Sequence, residues 1–426
     1  MNVRTLMLGW EFPPFISGGL GTACYGLTKA MDHLGMRVTF VLPRMKPVRF
    51  VGGAVMAGGS DRSVEPLEQE FPNVRFRAVS SSLIPYGRFG SSAQSARHVI
   101  PAVETELSEE PSGSPGPYGP NICEEVQRYA IRAAKIARSE QFDIIHAHDW
   151  MTFPAGIAVA AYSGKPLVVQ VHSTEFDRSG EHVNQYVYDI ERQGMHAAAK
   201  VIAVSNYTRD VVVNRYAVPA EKVEVVYNGI ECSDSTEAPP LQACPAKKEK
   251  VVLFLGRITM QKGPEYFLYA AKRVLEKEKD VKFIMAGDGD RLYGTIELAA
   301  ALGIGHRVFF TGFLRGADVD KAYRMADLYV MPSVSEPFGL APLEALQRNV
   351  PVLISKQSGI AETLRNALKV DFWDIDEMAN KMIAVLRYPP LQEMLRTNGH
   401  KEAFTFRWED SAARVNDIYH NVLNVA

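Results

Sequence analysis

The chain has 426 residues, of which 46% are hydrophobic and 23% charged, as in ordinary folded globular proteins rather than disordered or fibrous ones. Its 47 lysines and arginines nearly balance 49 aspartates and glutamates, so the totals give no support to nucleic-acid binding. No stretch approaches the roughly 20 apolar residues that a membrane-spanning helix needs, and the apolar run that opens the chain is too short for a signal peptide.

The four cysteines are Cys24, Cys123, Cys232 and Cys244, and no two of them have the CxxC spacing of a metal or redox motif. Scattered cysteines of this kind predict neither a disulfide framework nor a zinc site, and they fit a reducing compartment. We therefore expect a cytoplasmic protein.

Strand and helix patterns alternate along the first half of the chain. The opening strand is followed by a glycine-rich loop and by a helix whose periodicity places Cys24, Leu27, Met31 and Leu34 on its buried face. Gly35 is expected to end that helix, because glycine readily adopts the left-handed conformation of a helix C-terminus. The predicted elements are strands at 3–9, 37–42, 143–146, 167–171, 201–204 and 223–226 and a long helix at 123–138.

Two segments interrupt the pattern. Residues 81–120 are rich in Ser, Gly and Pro, which indicates an irregular surface loop or, alternatively, a mobile loop that binds an acceptor substrate. Residues 232–248 contain Pro-Pro and Pro-Ala-Lys-Lys and are the best candidate for a linker.

After this linker the alternation starts again. A helix with Pro264 in its first turn, a favoured position for proline, buries Phe267, Ala271, Val274 and Leu275 on one face. Because alternating strands and helices build parallel sheets covered by helices, the sequence predicts two α/β domains of similar size that meet in a cleft. The later strands are predicted at 251–255, 281–286, 307–311, 327–331 and 350–354, and an amphipathic helix is predicted at 408–425.

The most informative motif is Pro-Ser-Val-Ser-Glu-Pro-Phe-Gly-Leu-Ala-Pro-Leu-Glu, at residues 332–344. It joins a buried strand to a helix that is expected to start near Gly339, so Glu336 lies in the turn and Glu344 on the helix. Open α/β sheets bind ligands at the carboxyl ends of their strands, and a helix N-terminus attracts phosphate. Two carboxylates around such an anion site indicate a ligand with hydroxyl groups beside a phosphate, as in a nucleotide-sugar. Solvated or capping glutamates are the alternative.

The loop after the first strand of the second domain carries two cations, Arg257 and Lys262. Fixed positive charges at the carboxyl edge of a sheet can neutralise a departing diphosphate, and stabilisation of developing charge is a large part of catalysis. Two solvated surface charges are the alternative. The presence of Glu336 and Glu344 in the same domain favours the functional interpretation.

The first domain contributes two candidates at the ends of its strands. Gly18 and Gly19 open a Gly-Gly-Leu-Gly loop between a strand and a helix, where glycine lets the backbone approach a phosphate or a sugar closely. The loop is not a complete GxGxxG motif, so a dinucleotide site has little support, and a plain tight turn is the alternative. His172 follows an apolar strand and opens a polar loop, where a catalytic and a structural role are both open.

Two further motifs have the residue types of metal sites. His146 and His148 are separated by one residue, and we expect them to point to opposite sides of their strand, which disfavours shared coordination of a metal. Asp288 and Asp290 form an Asp-Gly-Asp motif after a predicted strand, where a glycine turn explains them without a metal. The sequence therefore predicts no metal site.

These motifs together resemble the retaining GT-B glycosyltransferases of the GT4 type, a family related to glycogen and starch synthases. The resemblance covers essentially the whole chain, and the opening Trp-Glu-Phe-Pro-Pro is similar to that of starch synthases. Bacterial glycogen synthases usually carry Lys at the place of Ile16, Thr-Gly-Gly at 357–359 and no glutamate at the place of Glu344, so the motifs favour the broader family. The matching residues are Gly18, Gly19, His172, Ser205, Asn228, Gly229, Gly256, Arg257, Lys262, Gly263, Glu336, Pro337, Phe338, Gly339, Leu340 and Glu344.

The resemblance implies how a donor would be bound. Arg257 and Lys262 would bind its diphosphate, and the backbone N–H groups of Phe338, Gly339 and Leu340 would add to them. No metal or other cofactor is implied, because the two cations supply the positive charge that the diphosphate needs.

The resemblance also implies roles around the sugar and the nucleoside. Glu344 would hold the ribose hydroxyls, and Glu336 would contact the transferred sugar. Gly18 and Gly19 would approach the donor from the other domain, and His172 would lie beside the sugar. The implied catalytic residues are Glu336, His172, Arg257 and Lys262.

In the same way, the resemblance implies two Rossmann-like domains. An acceptor-side domain at 1–235 and a linker at 236–248 would precede a domain at 249–404 that binds the donor nucleotide. A final helix at 405–426 would cross back to the first domain.

The function that follows is that of a hexosyltransferase of EC 2.4 type. It would move a sugar, with glucose as a candidate, from a nucleotide-sugar to a glycan or another hydroxyl acceptor with retention of configuration. The alternatives are a nucleotide-sugar epimerase or a sugar phosphorylase on the same fold, and a non-catalytic protein that binds nucleotide-sugars. The non-catalytic alternative would require a broken cation or glutamate set, whereas both sets are intact here.

Overall fold

The structure is a computed structural model, and it describes residues 3–13, 18–44, 48–51, 54–57, 70–80, 122–231 and 249–425. Each half of the chain forms a parallel β-sheet with helices packed on it, so the predicted α/β fold with two Rossmann-like units is confirmed. The loop predicted at 81–120 and the linker predicted at 232–248 lie outside the described residues. Within the described ranges, no helix has both the length and the apolar composition of a membrane span.

The described residues of the first half form nine strands, seven of which make up one parallel sheet. They are β1 (Arg4–Leu8), β2 (Arg37–Arg44), β3 (Val48–Val51), β4 (Ala54–Ala57), β5 (Val74–Ser80), β6 (Ile144–His148), β7 (Leu167–Val171), β8 (Lys200–Ala203) and β9 (Val223–Val225). The sheet has the order β5-β2-β1-β6-β7-β8-β9, and β3 pairs with β4 in a separate antiparallel hairpin. The order reverses between β1 and β6, which creates a crevice at the carboxyl ends of these strands.

The second half repeats this arrangement with six parallel strands. They are β10 (Lys250–Leu255), β11 (Val281–Ala286), β12 (Val308–Gly312), β13 (Leu328–Met331), β14 (Val352–Ser355) and β15 (Leu368–Val370). Their order is β12-β11-β10-β13-β14-β15, the doubly wound order of dinucleotide-binding folds. The crevice of this sheet therefore lies between the ends of β10 and β13.

The described α-helices follow the strands in βαβ fashion. They are α1 (Gly19–His33), α2 (Ile122–Ala137), α3 (Phe153–Ser163), α4 (Glu175–Ser179), α5 (Gln185–Ala197), α6 (Asn206–Tyr216), α7 (Pro264–Lys277), α8 (Leu292–Ala301), α9 (Ala317–Met325), α10 (Leu340–Gln347), α11 (Ile375–Arg387), α12 (Pro389–Ala403) and α13 (Trp408–Val425). The central strands are buried on both faces, as β7 and β13 show along their whole length.

The end of α1 differs from the prediction at one residue. Leu34 is 47% exposed, so its predicted burial is wrong, although Gly35 does end the helix. Gly35 adopts φ 70°, its N–H donates to the Asp32 carbonyl, and the N–H of Met36 donates to the Met31 carbonyl. As a result, the side chain of Met36 is buried in the core in place of that of Leu34, because the residue after a left-handed cap packs back on the helix.

The last helix, α13, packs on the first half of the chain although it follows the second half in sequence. Trp408 is 5% exposed and lies where any side chain at Gly26 of α1 would be, with Trp408 ring atoms 2.2 Å from the position of a Cβ. Tyr419 hydrogen-bonds His146 Nδ1 at 2.6 Å. The domain boundaries predicted at 235, 248 and 404 stay predictions.

Candidate active site

Loops at the carboxyl edges of the two sheets hydrogen-bond to each other across a cleft. Ser205, after β8, donates to the carbonyl oxygen of Pro337, after β13, at 2.5 Å. Ser335 donates to the carboxylate of Asp177, in the segment after β7, and the Tyr207 hydroxyl lies 3.0 Å from Ser335 Oγ. The turn that carries the glutamate motif is therefore held by both halves of the chain.

Glu336 lies in the turn between β13 and α10, as predicted, and its side chain is 10% exposed. The loop after β14 fixes its backbone: Glu336 N–H donates to the Gln357 carbonyl, and Gly359 N–H donates to the Glu336 carbonyl, both at 2.9 Å. Ser333 Oγ donates to Glu336 Oε2 at 3.4 Å. Because its backbone is bonded on both sides, the carboxylate has a fixed position at the sheet edge.

Lys262 forms an ion pair with Glu336 through Nζ and Oε2. The pair joins the loop after β10 to the turn after β13, which is the switch point where sheets of this kind bind ligands. Arg257 lies on the same loop and is exposed, with its Nη2 3.5 Å from Gln261 Oε1. Of the two predicted cations, the structure brings Lys262 into contact with Glu336.

The start of α10 provides backbone donors beside this pair. Gly339 precedes the helix with φ 110°, a conformation that glycine adopts more easily than other residues. The first N–H groups of a helix have no partner within the helix, so those of Leu340 and its neighbours are available to an anion. Phe338 is buried and packs near Tyr227, with ring centroids 6.1 Å apart, which anchors the backbone from the first half.

Glu344 lies on α10 and accepts a hydrogen bond from the Tyr323 hydroxyl at 2.9 Å. A second tyrosine, Tyr329 of β13, is buried near both predicted glutamates. Burial raises the pKa of Tyr329, and the negative charges of Glu336 and Glu344 raise it further because they oppose formation of a phenolate. Both carboxylates therefore flank one region at the end of β13.

His172 opens the loop after β7, and its backbone N–H donates to Asp149 Oδ1 at 2.7 Å. Asp149 is buried with φ 58°, and the backbone N–H of Ser173 also donates to its Oδ1, at 3.4 Å. Burial raises the pKa of Asp149 to about 7. Burial lowers the pKa of His172 to about 3, so its imidazole is neutral at physiological pH and can exchange hydrogen bonds without carrying a charge.

The remainder of this loop is fixed by a partly buried arginine whose two glutamate partners are largely buried. Arg178 Nη2 donates to Glu191 Oε1 at 2.5 Å, and Arg178 Nε donates to Glu175 Oε2 at 3.0 Å. A second nitrogen, Nη1, lies 3.4 Å from the Ser173 carbonyl. Breaking such a buried pair leaves a charge without compensation, so the network holds the segment that follows His172 firmly.

His146 and His148 do not point to opposite sides of their strand, and that prediction is wrong. Their rings stack with centroids 4.3 Å apart, because residues i and i+2 of a β-strand share a face and β6 runs through both of them. His148 Nδ1 lies 3.0 Å from His172 Nε2. The side chain of His148, at the end of β6, thus contacts the loop after β7.

Gly18 and Gly19 lie at the very start of α1, with Gly18 as the residue that precedes it. A Cβ added at Gly19 would have no described atom within 4 Å. Packing among the described residues therefore gives no reason for glycine there, whereas close approach of a ligand does. Leu340 of the second half packs against the apolar cluster that contains Leu27 of α1, so this helix and the start of α10 face the same cleft.

Several residues that shape the site were not predicted from the sequence. Asp149, Ser335 and Gln357 each lie within a few residues of a strand's carboxyl end, and this position is the signal that could have identified them. Tyr207 has the same signal, four residues after the end of β8, but the contact of Tyr207 and Asp177 with Ser335 has none, because Ser335 belongs to the other half of the chain.

Gly359 tests how tightly the two halves are joined. A Cβ there would lie 2.2 Å from the Pro337 carbonyl oxygen and 2.4 Å from Ser205 Cβ, so we expect Gly359→Ala to destabilise the protein by about 1–3 kcal/mol, the usual cost of overpacking. Gly294 lies in α8 with open space around it, and Gly294→Ala should stabilise by about 0.5–1 kcal/mol. Thermal melting of both variants measures the difference, and equal melting temperatures would contradict it.

Comparison with known protein families matches both halves of the chain. The model of Glycosyltransferase Family 4 matches residues 91–234, and that of Glycosyl transferases group 1 matches residues 242–402. An uncharacterized glycosyltransferase of Methanocaldococcus jannaschii is 31% identical, with 98% of each chain covered. A glycogen synthase of Mycobacterium tuberculosis is 24% identical over 98% of this chain and 94% of the relative.

Solved structures with the same fold cover nearly all of the chain. A sucrose-phosphate synthase of Thermosynechococcus elongatus superposes with a TM-score of 0.69 at 18% identity, over 99% of this chain and 100% of the other. Anabaena HepE in complex with UDP-glucose has a TM-score of 0.68 at 18% identity, over 98% and 100%. The catalytic domain of Starch Synthase IV of Arabidopsis thaliana, bound to ADP and acarbose, has a TM-score of 0.66 at 14% identity, with both chains fully covered. At such identities the likeness establishes the GT-B fold, as predicted.

Proposed function

The chain belongs to the GT4-type, group 1 glycosyltransferases, and from this premise we propose that it transfers a hexose from a nucleotide-sugar to a hydroxyl acceptor with retention of configuration. The observation that carries the proposal is the Lys262–Glu336 pair beside the N-terminus of α10, at the switch point of the second sheet. In this pair, a cation that would bind phosphate lies next to a carboxylate that would bind sugar hydroxyls.

The donor diphosphate fits the positive side of this site. Lys262 would exchange its contact with Glu336 for the diphosphate, and the exposed Arg257 on the same loop would swing in as a second cation. Backbone N–H groups of Phe338, Gly339 and Leu340 would complete the anion site, because they lie at the start of a helix. Charge that develops on the leaving group would thus meet backbone donors that are already in place and two cations that move in when the donor binds.

The carboxylates would bind the rest of the donor. Glu344, aligned by Tyr323, would accept hydrogen bonds from the ribose hydroxyls. Glu336, released from Lys262, would accept hydrogen bonds from hydroxyls of the transferred sugar. His172 would face that sugar from the other half, as a neutral hydrogen-bonding group held by Asp149.

The chemical step that we propose is attack from the side of the leaving group. The acceptor oxygen would bond to the anomeric carbon as the bond from that carbon to the diphosphate oxygen breaks. The acceptor proton would pass to the departing phosphate oxygen, so no protein base is needed. Attack on the same face preserves the configuration at the anomeric carbon.

Glucose is the sugar that we favour, and a glucan is one candidate acceptor. The support comes from relatives: a similar chain is a glycogen synthase, and one similar structure holds UDP-glucose. A panel of UDP-, ADP- and GDP-sugars, scored by release of free nucleoside diphosphate with and without maltooligosaccharide, tests this. Release that depends on the added acceptor with one donor supports the proposal.

The same panel separates the alternatives on this fold. An epimerase would convert the sugar of the donor without transferring it to an acceptor. A phosphorylase would release sugar phosphate from a glycan in inorganic phosphate without any nucleotide. Either of those results, together with absent transfer from every donor, would overturn the proposal.

We expect a chelator to leave transfer intact. Lys262 and Arg257 supply the charge that a metal would otherwise bring to the diphosphate. A Lewis-acid metal contributes several kcal/mol to a transition state, so a metal-dependent enzyme would lose on the order of 100-fold or more in rate. Initial rates with and without EDTA measure this, and a large loss that Mg²⁺ or Mn²⁺ reverses would contradict the expectation.

A further inference from the structure

Three side chains of the kinds that bind transition metals meet below the cleft: Cys24 of α1, His148 of β6 and His172. One ligand atom of each lies within 4.8 Å of the other two, and no other such group of three histidine, cysteine or acidic side chains occurs in the described ranges. Cys24 and His148 are fully buried, whereas His172 is partly exposed to the cleft. One side of the cluster is therefore open.

The spacing of the two imidazoles is close to that of ligands on one metal ion. His148 Nδ1 and His172 Nε2 lie 3.0 Å apart. Two nitrogens bound to tetrahedral zinc at about 2.0–2.1 Å are about 3.3 Å apart. A shift of a few tenths of an ångström would thus accommodate the ion between the two nitrogens. Cys24 Sγ, which lies within 4.8 Å of both rings' ligand atoms, would approach them to about 3.6 Å, the separation of sulfur and nitrogen on one tetrahedral zinc ion.

The ring nitrogens that face each other are the ones that would bind the ion. At present they share one proton in the hydrogen bond between His148 Nδ1 and His172 Nε2. An ion between them would take the place of that proton, and both outer nitrogens, His148 Nε2 and His172 Nδ1, would then carry N–H groups. Neither outer nitrogen has a hydrogen-bond partner among the described residues, so no described contact holds either ring in another tautomer.

Acidic groups lie near the cluster and would favour a cation there. Asp149 Oδ1 accepts a hydrogen bond from the backbone N–H of His172 at 2.7 Å, and Asp149 and Glu11 both lie near enough to Cys24 to act on its thiol electrostatically. The ion has to displace the thiol proton, because the thiolate is the form that coordinates a metal.

We propose that Cys24, His148 and His172 form a Zn²⁺ site whose fourth position opens to the cleft. Zinc binding would replace the proton of the Cys24 thiol by a sulfur–zinc bond and release that proton to solvent. Three protein ligands of nitrogen and sulfur with one open position are typical of accessible zinc sites.

Zinc at this site would inhibit the enzyme rather than assist it. The ion would occupy His172, the residue that we place beside the transferred sugar, and would put a cation at the floor of the cleft. This consequence rests on the proposed function, whereas binding of zinc does not.

Binding is tested on the full chain with the metal alone. Calorimetric titration with Zn²⁺ should show one tight site per chain, and Cd²⁺ should give the ultraviolet charge-transfer band of a cadmium–thiolate bond. Cys24→Ala should lose the band and weaken binding by at least about 100-fold, since even loss of an outer-shell group costs 10- to 100-fold.

The matched control uses the other cysteines. A Cys123→Ser/Cys232→Ser/Cys244→Ser variant, which keeps Cys24, should retain both the band and the tight site. A band that persists in Cys24→Ala and vanishes in the triple variant would overturn the proposal, as would the absence of tight binding to the wild-type chain. The triple variant also serves as the decisive test if Cys24→Ala does not fold.

Activity adds an independent arm. Micromolar Zn²⁺ should inhibit the wild type, EDTA should restore it, and Cys24→Ala should keep its basal rate and resist zinc. Tight binding without any transferase activity would leave the metal site standing and overturn the proposed function. Full activity that zinc inhibits equally in both forms would overturn the metal site.

Discussion

Lys262→Ala is expected to reduce transfer by on the order of 100- to 1,000-fold in kcat, the effect of removing one preorganised group that stabilises developing charge. The lysine is the cation that contacts Glu336 at the switch point, and it lies in a one-turn helix followed by α7, which limits its motion. The KM for the donor should rise as well, because the diphosphate carries its charge in the ground state too. Steady-state kinetics with the donor identified by the panel measures both constants.

The control for this variant is Lys277→Ala. Lys277 is an exposed lysine in the last turn of α7, in the same half of the chain, and its removal should leave kcat and KM unchanged. Lys262→Ala also leaves the largely buried Glu336 carboxylate without its partner, which should cost about 1–3 kcal/mol of stability. Near-wild-type turnover in a folded Lys262→Ala protein would remove the lysine from the donor site.

Much of the fold follows from local patterns in the sequence. β7 and β11 are found over the predicted residues, because short apolar runs bounded by turn residues are typical of strands buried in a parallel sheet. The donor side of the site follows from the same logic, since Lys262 and Glu336 both come directly after strands of one sheet. Parallel strands bring their carboxyl ends to one edge, so sequence neighbours of those ends become neighbours in space.

The contacts between the halves do not follow from such patterns. Ser335 and Asp177 are separated by 158 positions, and their hydrogen bond depends on how the two sheets are placed relative to each other. Nothing in either local sequence specifies that placement. Gly359 is similar: its lack of a side chain matters only because Ser205 lies against it from the other half.

The histidines of β6 show a different kind of error. Their shared face follows from the period of a β-strand and needed no tertiary information, so correct use of that period would have predicted the stacked rings. The contact of His148 with His172 then follows from the pairing of β6 with β7. The cluster with Cys24 additionally requires the packing of α1, which the pattern does not give.

Glu336→Gln is expected to lower kcat by on the order of 100-fold or more while leaving the KM for the donor unchanged or lower. The variant keeps the shape of the side chain, so the backbone bonds to Gln357 and Gly359 remain. It removes the charge that would accept hydrogen bonds from the sugar as positive charge develops at the anomeric carbon. Lys262, no longer paired, would be free for the diphosphate before the donor binds, which favours donor binding.

The response of KM for the donor separates the two members of the pair. Loss of the cation should raise KM and lower kcat, whereas loss of the carboxylate should lower kcat alone, and that is the signature of an interaction made chiefly in the transition state. Glu297→Gln, at an exposed glutamate of α8, is the control and should change neither constant.

The double variant Lys262→Ala/Glu336→Gln should regain part of the stability lost in Lys262→Ala, because no unpaired buried charge remains, yet stay inactive. If the double variant recovered activity together with stability, the pair would be structural, and the donor site would have to be sought elsewhere in the cleft.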